Sequence, residues 1–436
     1  MYLLYSILYA IALLVSSPYW LTRMLQEGKY RAGLNERLGS VPARLKRAAT
    51  PHQPIWIHAV SVGEVMAISG LVNALRKQFP ERDIYVSTTT LTGQTLAREK
   101  FGPEQVFYLP LDLPFAIHPF LTAIHPAMLV LAETEFWPNL LHIAKGRGCQ
   151  IAVVNARISD RSLPGYKRFR FLLKRVLSDI DLFLAQTEVD HDRLIAIGAD
   201  AQRVRVAGNL KFDVKAPSES ALSRELRRVL QSNQRTLVFG STVDGEEELL
   251  IPCFKSVLRD YARALIILAP RHPERFDAVA ELLHSAGLNF WRRSTWGGTV
   301  LAGGVLLLDT IGELASVYSV AEITFVGGSL VARGGHNILE PAQFAKPILV
   351  GPHCENFREI VRTFLASNAV LVVNTDQLTN TILHLLQQPH EATQLGSRAF
   401  HVVEGGRGST QRIVAGIVEL LDGRSTAITN LSASQP

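Results

Sequence analysis

Cysteine is scarce in this sequence. Only Cys149, Cys253 and Cys354 occur in 436 residues, roughly a hundred positions apart. No CxxC pair or Cys/His cluster is present, which argues against a disulfide framework and a structural zinc site. Low-complexity tracts are also absent, and charged residues make up 19% of the chain against 47% hydrophobic residues. This balance excludes a disordered chain, a collagen and a coiled-coil rod. The length predicts two or three domains, and the cysteine usage predicts a reducing compartment.

Positive charge is concentrated near the start of the chain. The formal net charge is +6, and residues 21–50 carry seven Lys or Arg against two Glu, almost the whole excess. The seven are Arg23, Lys29, Arg31, Arg37, Arg44, Lys46 and Arg47. The remaining chain is close to neutral, so no nucleic-acid partner is expected.

Residues 2–22 contain no charged side chain. As a helix they would measure about 32 Å, enough to cross a hydrocarbon core of about 30 Å. Tyr19 and Trp20 end the stretch, and the basic segment follows, which places the later residues on the cytoplasmic side of the membrane. We therefore predict a membrane anchor at residues 1–22, the alternative being a buried helix of a soluble domain. Residues 16–18 (Ser-Ser-Pro) leave open whether the helix spans the membrane or lies on it.

The rest of the chain alternates short apolar runs with helical patterns. The first series of runs lies at residues 54–60, 83–89, 106–111, 127–132, 150–155, 182–186 and 204–206. The second lies at 236–240, 264–268, 305–308, 323–326, 347–350 and 370–373. Such alternation predicts βαβ units and parallel sheets, hence an α/β fold. We expect two doubly wound, Rossmann-like domains at 30–215 and 216–422, and a polar tail at 423–436.

Ligands of open α/β sheets bind beyond the carboxyl ends of the strands. Glu64 follows the first predicted strand, and Ser61 three residues earlier makes it part of a capping box. The same carboxylate could instead act as a general base. Glu133 and Glu135 follow the fourth strand and share one face, so they could hold an acceptor or position a cation such as Arg157.

Glycine pairs at 327–328 and 334–335 lead into a helix predicted to start near His336. Such a loop suits a phosphate, and Glu340 one turn later could accept hydrogen bonds from ribose hydroxyls. Arg271 and His272, after an apolar strand, suit anion recognition or a strand-end ion pair. The G-x-G-x-x-G pattern is missing, so NAD is not implied.

Asp179 and Asp181 form a D-x-D pattern, which in other proteins bridges a metal and a nucleotide. Here the pair precedes the strand at 182–186, at the wrong end of the sheet, and we interpret it as structural. No other metal-ligand spacing occurs, so the sequence predicts neither a metal nor a cofactor.

Residues 165–177 are predicted to form a basic amphipathic helix. One arc carries Lys167, Arg168, Arg170, Lys174 and Arg175, and the other carries Phe169, Leu172, Leu173, Val176 and Leu177. A basic face is usually a solvated face. It would also suit a membrane surface or an anionic lipid.

Seven ordered motifs resemble those of the 3-deoxy-D-manno-octulosonic acid (Kdo) transferases. They are HAVSVGE (58–64), ETEFWPNL (133–140), NARISDRS (155–162), GSTVDGEEE (240–248), APRHPERF (269–276), FVGGSLVARGGHNILEPA (325–342) and GPHCENF (351–357). The resemblance implies a GT-B fold with its site in the cleft between two Rossmann-like domains. It also implies an inverting transferase that moves Kdo from CMP-Kdo to a lipid A precursor.

The resemblance assigns roles to individual residues. It implies Glu64 as the catalytic base. It also implies CMP contacts by Pro270, Arg271, Ile311, Gly312, Glu313, Asn337, Ile338, Leu339 and Glu340. Glu133, Glu135, Arg157, Lys167, Arg168, Lys174 and Arg175 are candidates for acceptor binding or site support. Many relatives carry His where this chain has Val243 and Asp where it has Glu322; these departures leave the surrounding motifs intact.

Three alternative functions remain open at this point. One is a GT-B transferase that uses a UDP-sugar and a lipid-linked acceptor. Another is a nucleotide-sugar epimerase of similar fold, which would need neither an anchor nor a basic helix. The third is a membrane-tethered lipid-binding protein without catalysis, which would not need Glu64 and Arg271.

Overall fold

The computed structural model describes residues 1–26, 31–45, 52–213, 217, 219–231 and 234–423. Lys29, Lys46 and Arg47 of the basic segment lie outside the described residues, as does the predicted polar tail except Gly423.

Seven parallel strands form the first sheet, in the order β3-β2-β1-β4-β5-β6-β7. They are β1 Ile55–His58, β2 Ile84–Thr88, β3 Val106–Tyr108, β4 Met128–Ala132, β5 Gln150–Ala156, β6 Leu182–Ala185 and β7 Val204–Val206. The strand order reverses between β1 and β4, which are paired directly. This reversal is the topological switch point at which doubly wound sheets bind ligands.

The second sheet also has seven parallel strands, in the order β10-β11-β9-β8-β12-β13-β14. They are β8 Thr236–Thr242, β9 Leu265–Pro270, β10 Phe290–Arg292, β11 Gly304–Leu307, β12 Ile323–Val326, β13 Ile348–Val350 and β14 Leu371–Val372. Among the strands in the described residues, the sequence analysis missed only the edge strand β10. Here the order reverses between β8 and β12, which again are direct neighbours.

Helices connect the strands and cover both faces of each sheet. The first ten are α1 Tyr2–Gln26, α2 Leu34–Arg37, α3 Val62–Gln78, α4 Leu91–Phe101, α5 Pro114–Ile124, α6 Pro138–Gly146, α7 Leu163–Arg168, α8 Arg170–Leu177, α9 Glu188–Ile197 and α10 Ala221–Val229. The other eight are α11 Glu247–Asp260, α12 Phe276–Ser285, α13 Leu314–Val317, α14 Leu339–Ala342, α15 Arg358–Ala366, α16 Thr375–Gln387, α17 Pro389–Gly406 and α18 Ser409–Asp422.

Alternate residues of β1 enter different core layers. Ile55 and Ile57 pack in one apolar cluster and Trp56 in the other, and all three side chains are fully buried. Burial on both faces explains why the strands read as continuous apolar runs instead of alternating ones.

The chain divides into two compact units, Met1–Asp213 with the segment from Arg407 onward, and Val214–Gly406. Helix α18 therefore belongs to the first unit, where Ile413 and Ile417 are buried against the first sheet. Its capping groups come from the same unit, since the Asp213 carboxylate accepts the N–H of Gly408 at 2.7 Å. This differs from the expected second domain, which extended to residue 422.

Helix α1 contains the one described segment, Tyr2–Trp20, that is long and apolar enough to cross a membrane. None of that segment is buried in the structure. The alternative of a helix buried in a soluble core is therefore wrong for these residues.

Candidate active site

Three carboxylates meet at the switch point of the first sheet. Glu64 lies in the first turn of α3, directly after β1, and Glu133 and Glu135 follow β4. The negative charges of Glu64 and Glu133 both act on Glu135. The three acids singled out in the sequence thus lie near one another at the carboxyl edge of this sheet.

Glu64 is held by the loop that precedes its helix. Its Oε2 atom accepts the backbone N–H of Val60 at 2.7 Å, and its Oε1 atom accepts the Ser61 hydroxyl at 2.8 Å. The side chain is nearly buried. Burial raises the pKa of Glu64, the bond from Val60 opposes that rise, and the charge of Glu133 adds to it. The capping interaction is thus present, and it fixes a desolvated carboxylate whose basicity is increased.

Glu133 pairs with Arg157, Oε2 to Nε at 3.2 Å, so the structure brings together the acid and the cation that the sequence singled out. The backbone of Glu133 has φ +57°, a conformation that costs a residue with a Cβ atom of the order of 1 kcal/mol and that clusters at functional sites. Burial, with the charges of Glu64 and Glu133, raises the pKa of Glu135 to about 7. Protons can therefore be exchanged near neutral pH at this edge.

Lys211 is a neighbour of Glu64 that sequence reasoning missed. It lies just after β7, in the short turn Leu210–Asp213, and its positive charge lowers the pKa of Glu64. The backbone N–H of Lys211 donates to the Asn209 side chain at 2.9 Å, which orients the turn. The sequence signal that could have identified Lys211 is its position shortly after the last predicted strand of the first series.

His58, at the end of β1, is fully buried. Its Nδ1 atom lies 2.9 Å from the Ser87 hydroxyl, and burial lowers the pKa of the imidazole to about 4. A neutral, enclosed ring of this kind supports the sheet edge and is unsuited to be the general base.

At the switch point of the second sheet, Glu246 organises the glycine loop. Its carboxylate accepts the backbone N–H groups of Gly328, Ser329 and Leu330 at 2.7, 3.0 and 2.9 Å. The side chain is fully buried. Since those N–H groups are used internally, this part of the loop is built to hold its own shape.

Arg271, His336 and Glu340 face one another in the second unit. Arg271 is exposed at the end of β9, and its charge opposes the burial that raises the pKa of Glu340. The amide of Asn337 donates to the Glu340 Oε1 atom at 3.2 Å. Burial, then the charges of Arg271 and His272, lower the pKa of His336 to about 4. The group combines an exposed cation with a neutral imidazole and a buried carboxyl group.

Tyr318 packs beside this group, next to Glu340 and Gly240. Its ring is buried, its hydroxyl lies near Glu340, and it occupies the space over Gly240, where an added Cβ would lie 2.0 Å from the hydroxyl oxygen. Glycine at 240 is therefore required by close packing.

The helix predicted to start near His336 begins three residues later, at Leu339. Gly334 and Gly335 have φ +87° and +72°, and the Asn337 side chain accepts the N–H of Leu339 at 3.1 Å, so the chain turns before any helix begins. Only the single turn α14 follows, and Glu340 is its second residue. The side chains of Pro270, Ile338 and Leu339 are buried, so any ligand contact by these residues would involve their backbone.

The segment 311–313 follows β11, as its implied role requires. Ile311 is 69% exposed and Gly312 is also exposed, so this part of the segment is accessible. The Glu313 carboxylate is engaged by Arg293, at 3.2 Å, and by the Thr310 hydroxyl. Glu313 therefore shapes the turn through its side chain.

The basic segment 165–177 is not one helix. It breaks at Phe169 into α7 and α8, and Phe169 and Leu172, which were expected on the apolar arc, are 58% and 47% exposed. Phe171 is 89% exposed. The basic side chains remain exposed as predicted; they are Lys167, Arg168, Arg170, Lys174 and Arg175. The surface is thus mixed, both cationic and aromatic.

Asp179 and Asp181 both have protein partners. Asp181 accepts Lys145 Nζ at 2.5 Å and the N–H of Ile151 at 2.9 Å, and Asp179 accepts the Tyr2 hydroxyl at 2.8 Å. Within the described part of the chain no group of three or more His, Cys, Asp or Glu side chains could hold a metal ion.

The two departures from the family pattern have different settings. Val243 is buried directly after β8. Glu322 pairs with Arg235 immediately before β12, at the edge of the sheet opposite to the candidate site. Glu322 therefore cannot act on the candidate site directly.

Comparison with known proteins identifies the family. A family model described as 3-deoxy-D-manno-octulosonic-acid transferase (kdotransferase) matches residues 32–214. The 3-deoxy-D-manno-octulosonic acid transferase of Haemophilus influenzae is 37% identical over 88% of this chain and 91% of its own. The enzyme of the same name from Bordetella pertussis is 35% identical over 87% and 91%.

Solved structures support the fold. A UDP-N-acetylglucosamine 2-epimerase matches 87% of this chain and 98% of its own with a TM-score of 0.54 at 14% identity. That likeness agrees with the GT-B-like pair of Rossmann-like units and says nothing of the reaction. The sequence relatives decide the family: the chain belongs to the 3-deoxy-D-manno-octulosonic acid transferases, which are glycosyltransferases.

Proposed function

We propose that this protein transfers Kdo from CMP-Kdo to a lipid A precursor, lipid IVA, in lipopolysaccharide biosynthesis, with inversion at the sugar and without a metal ion. The observation that carries the proposal is the Glu64 carboxylate. It is desolvated, held by Val60 and Ser61 at the switch point, and raised in pKa by burial. These are the properties of a general base for a hydroxyl nucleophile.

The reaction is a single displacement. A hydroxyl of the acceptor loses its proton to Glu64 while its oxygen forms a bond to the anomeric carbon of Kdo. The bond from that carbon to the phosphate oxygen breaks, and CMP leaves with the electron pair from the opposite face. Each Glu64 oxygen accepts one hydrogen bond in the structure, so each retains a lone pair for the incoming proton.

The second unit supplies the donor site in this proposal. Arg271, exposed at the end of β9, neutralises the phosphate and stabilises its charge as it departs. Glu340, held by Asn337, accepts hydrogen bonds from the ribose. The backbone at residues 311–313 and 338–339 completes the contacts to CMP. Charge neutralisation by Arg271 is the reason why no metal is required.

The acceptor and the membrane are assigned to the first unit. The basic residues Lys167, Arg168, Lys174 and Arg175 are exposed there and suit the phosphates of a lipid A precursor. With the apolar helix α1, they support a location at the cytoplasmic face of the inner membrane. Glu133 and Glu135 lie near Glu64, Arg157 pairs with Glu133, and the three would support the acceptor sugar.

A donor screen tests the proposal. Purified full-length protein is given lipid IVA in detergent with CMP-Kdo, UDP-glucose or UDP-N-acetylglucosamine, and products are identified by mass spectrometry. We expect a Kdo adduct from CMP-Kdo alone. Transfer from a UDP-sugar would establish the alternative transferase, acceptor-independent conversion of a UDP-sugar would establish an epimerase, and lipid binding without any product would establish a binding protein.

A further inference from the structure

Helix α1 has two different faces. One face is almost wholly apolar and exposed. Its large side chains are Leu3, Leu4, Ile7, Leu8, Ile11, Leu14 and Val15, exposed between 47% and 76%. The opposite face carries Tyr2, Tyr5, Ser6 and Tyr9, which are partly covered. Over its first nine residues, the polar side chains of this helix thus lie on the side toward the protein, and the apolar ones lie on the opposite side.

The polar face is docked on the first unit by specific contacts. The Tyr2 ring stacks on His142, with centroids 3.8 Å apart and planes 9° from parallel, and its hydroxyl donates to Asp179 at 2.8 Å. One turn later, Ser6 accepts the side-chain amide of Asn139 at 2.9 Å. Tyr5 is hydrogen-bonded to the buried carboxylate of Asp112. Two turns of α1 are therefore part of the folded unit.

These contacts decide between the two orientations that the sequence left open. At 1.5 Å per residue, Tyr2 and Trp20 lie about 27 Å apart along the helix axis. In a spanning helix Tyr2 would lie across the hydrocarbon core from the domain that follows Trp20. It could then reach neither His142 nor Asp179, both of which belong to that domain.

A second cationic and apolar surface adjoins the start of α1. Helix α8 ends at Leu177, two residues before Asp179, and the charge of Arg175 acts on Tyr2. The exposed Phe169, Phe171 and Leu172 lie with the five basic residues of α7 and α8. Exposed aromatic side chains beside Lys and Arg are typical of proteins that lie in a bilayer interface.

We propose that α1 lies in the plane of the membrane surface, with its apolar face in the boundary between headgroups and acyl chains, and that α7–α8 docks beside it. The occupant of this surface is a bilayer that contains anionic lipids. The proposal rests on the membrane association included in the proposed function and makes the protein a monotopic one. The base Glu64 and the bilayer are then connected through one folded unit, without an intervening tether.

Spin labels on α1 test the orientation. Nitroxides are placed one at a time at Leu4, Leu8, Ile11 and Val15 through cysteine variants of the full-length chain, bound to vesicles of phosphatidylethanolamine with phosphatidylglycerol. The unaltered chain, treated with the same label, gives the background signal from its own cysteines. Depth is read from relaxation by oxygen and by a water-soluble nickel complex.

We expect one shallow depth for all four positions, about 5–10 Å below the headgroups. A label at Ser6, on the docked face, is the matched control and should be shielded from both relaxants. A depth profile that peaks at Ile11, with Leu4 emerging on the far side of the vesicle, would establish a spanning helix. Spin–spin broadening between copies, or no vesicle binding, would equally overturn the proposal.

Cross-linking and one surface variant complete the test. A Tyr2→Cys/His142→Cys pair should be joined by a short thiol reagent in membranes, whereas the control pair Leu3→Cys/His142→Cys should not. Phe171→Ser should weaken vesicle binding several-fold at every salt concentration. Equal cross-linking of both pairs, or unchanged binding by Phe171→Ser, would count against the docked surface. None of these readouts uses transfer, so a failed donor screen with a uniform shallow depth would refute only the proposed function.

Discussion

The backbone N–H of Val60 donates to the Glu64 carboxylate at 2.7 Å, across the loop that joins β1 to α3. The N-cap Ser61 lies between them and binds the other carboxylate oxygen. The carboxylate is thus oriented by groups that precede its helix, and it stays at the carboxyl edge of β1. This relationship connects a common capping interaction to the position that a general base needs.

Lys211→Met should move the acidic limb of the pH profile of kcat/KM to higher pH. The Lys211 charge lowers the pKa of Glu64, so its removal raises that pKa, and the base ionises only at a higher pH. Lys211→Arg keeps the charge and should keep the limb. The pH profiles are measured with saturating acceptor. If the acidic limb of the Lys211→Met profile is unchanged, Lys211 does not act on the base.

Glu135→Gln should stabilise the protein more at pH 8 than at pH 5. Burial and two neighbouring carboxylates raise the pKa of Glu135 to about 7, so folding favours its protonated form. The native state therefore loses stability as pH rises from the ordinary value of 4.5 through 7, and a neutral amide avoids that loss. Thermal unfolding at both pH values checks the sign. An equal change in Tm at pH 5 and pH 8 would contradict it.

Arg271→Ala should weaken CMP binding by about 1.5–3 kcal/mol, the usual contribution of a hydrogen bond to a charged group. Calorimetric titration with CMP measures the loss. Arg259→Ala is a matched control, because Arg259 is exposed and pairs with Asp260 at the end of α11.

The same titration and the transfer assay in EDTA test metal independence. Both should be unchanged. Loss of activity in EDTA with recovery in Mg²⁺ would show that carboxylates such as Asp179 and Asp181 have a role beyond their contacts to Tyr2 and Lys145.

Replacement of Lys167, Arg168, Lys174 and Arg175 by serine should raise KM for the lipid acceptor and flatten the salt dependence of vesicle binding. Each cation near an anionic surface contributes about 1 kcal/mol, and salt screens that contribution over about 8–10 Å. CMP affinity should stay the same, because the four residues belong to the other unit. Loss of CMP binding with retained lipid binding would reverse the roles of the two units.

The spacing of apolar residues along the chain, and the polar motifs at the ends of the apolar runs, were enough to predict most of the architecture. Every strand longer than three residues was found, because full burial makes such strands continuous apolar runs. Strand β10 was missed because Phe290, Trp291 and Arg292 are all half-buried at a sheet edge. The sequence could not predict which unit α18 packs against. Its amphipathic pattern shows that one face of the helix is buried, but not which sheet covers that face.

Site residues were predicted where the interacting groups are neighbours in the sequence. They were missed where the role of a residue depends on contacts with distant parts of the chain. Ser61 and Glu64 form a local pattern. Glu246 reads as an ordinary acid near a helix start, and its role depends on N–H groups some eighty positions later. Lys211 comes near Glu64 because the turn Leu210–Asp213, which follows β7, packs against α3. The helix expected near His336 starts only at Leu339, because two left-handed glycines and the Asn337 turn precede it.

The most direct measurement is the turnover of Glu64→Gln with CMP-Kdo and lipid IVA. The amide can still accept the Val60 N–H, so the variant should fold, with a loss of only about 1 kcal/mol from the altered cap. Ser61→Ala, which keeps the carboxylate, is the matched control. If Glu64 removes the acceptor proton, Glu64→Gln lowers kcat by about 10²–10⁴-fold while CMP affinity and Tm remain close to wild type. Turnover near the wild-type rate would contradict the account and reduce Glu64 to a capping residue.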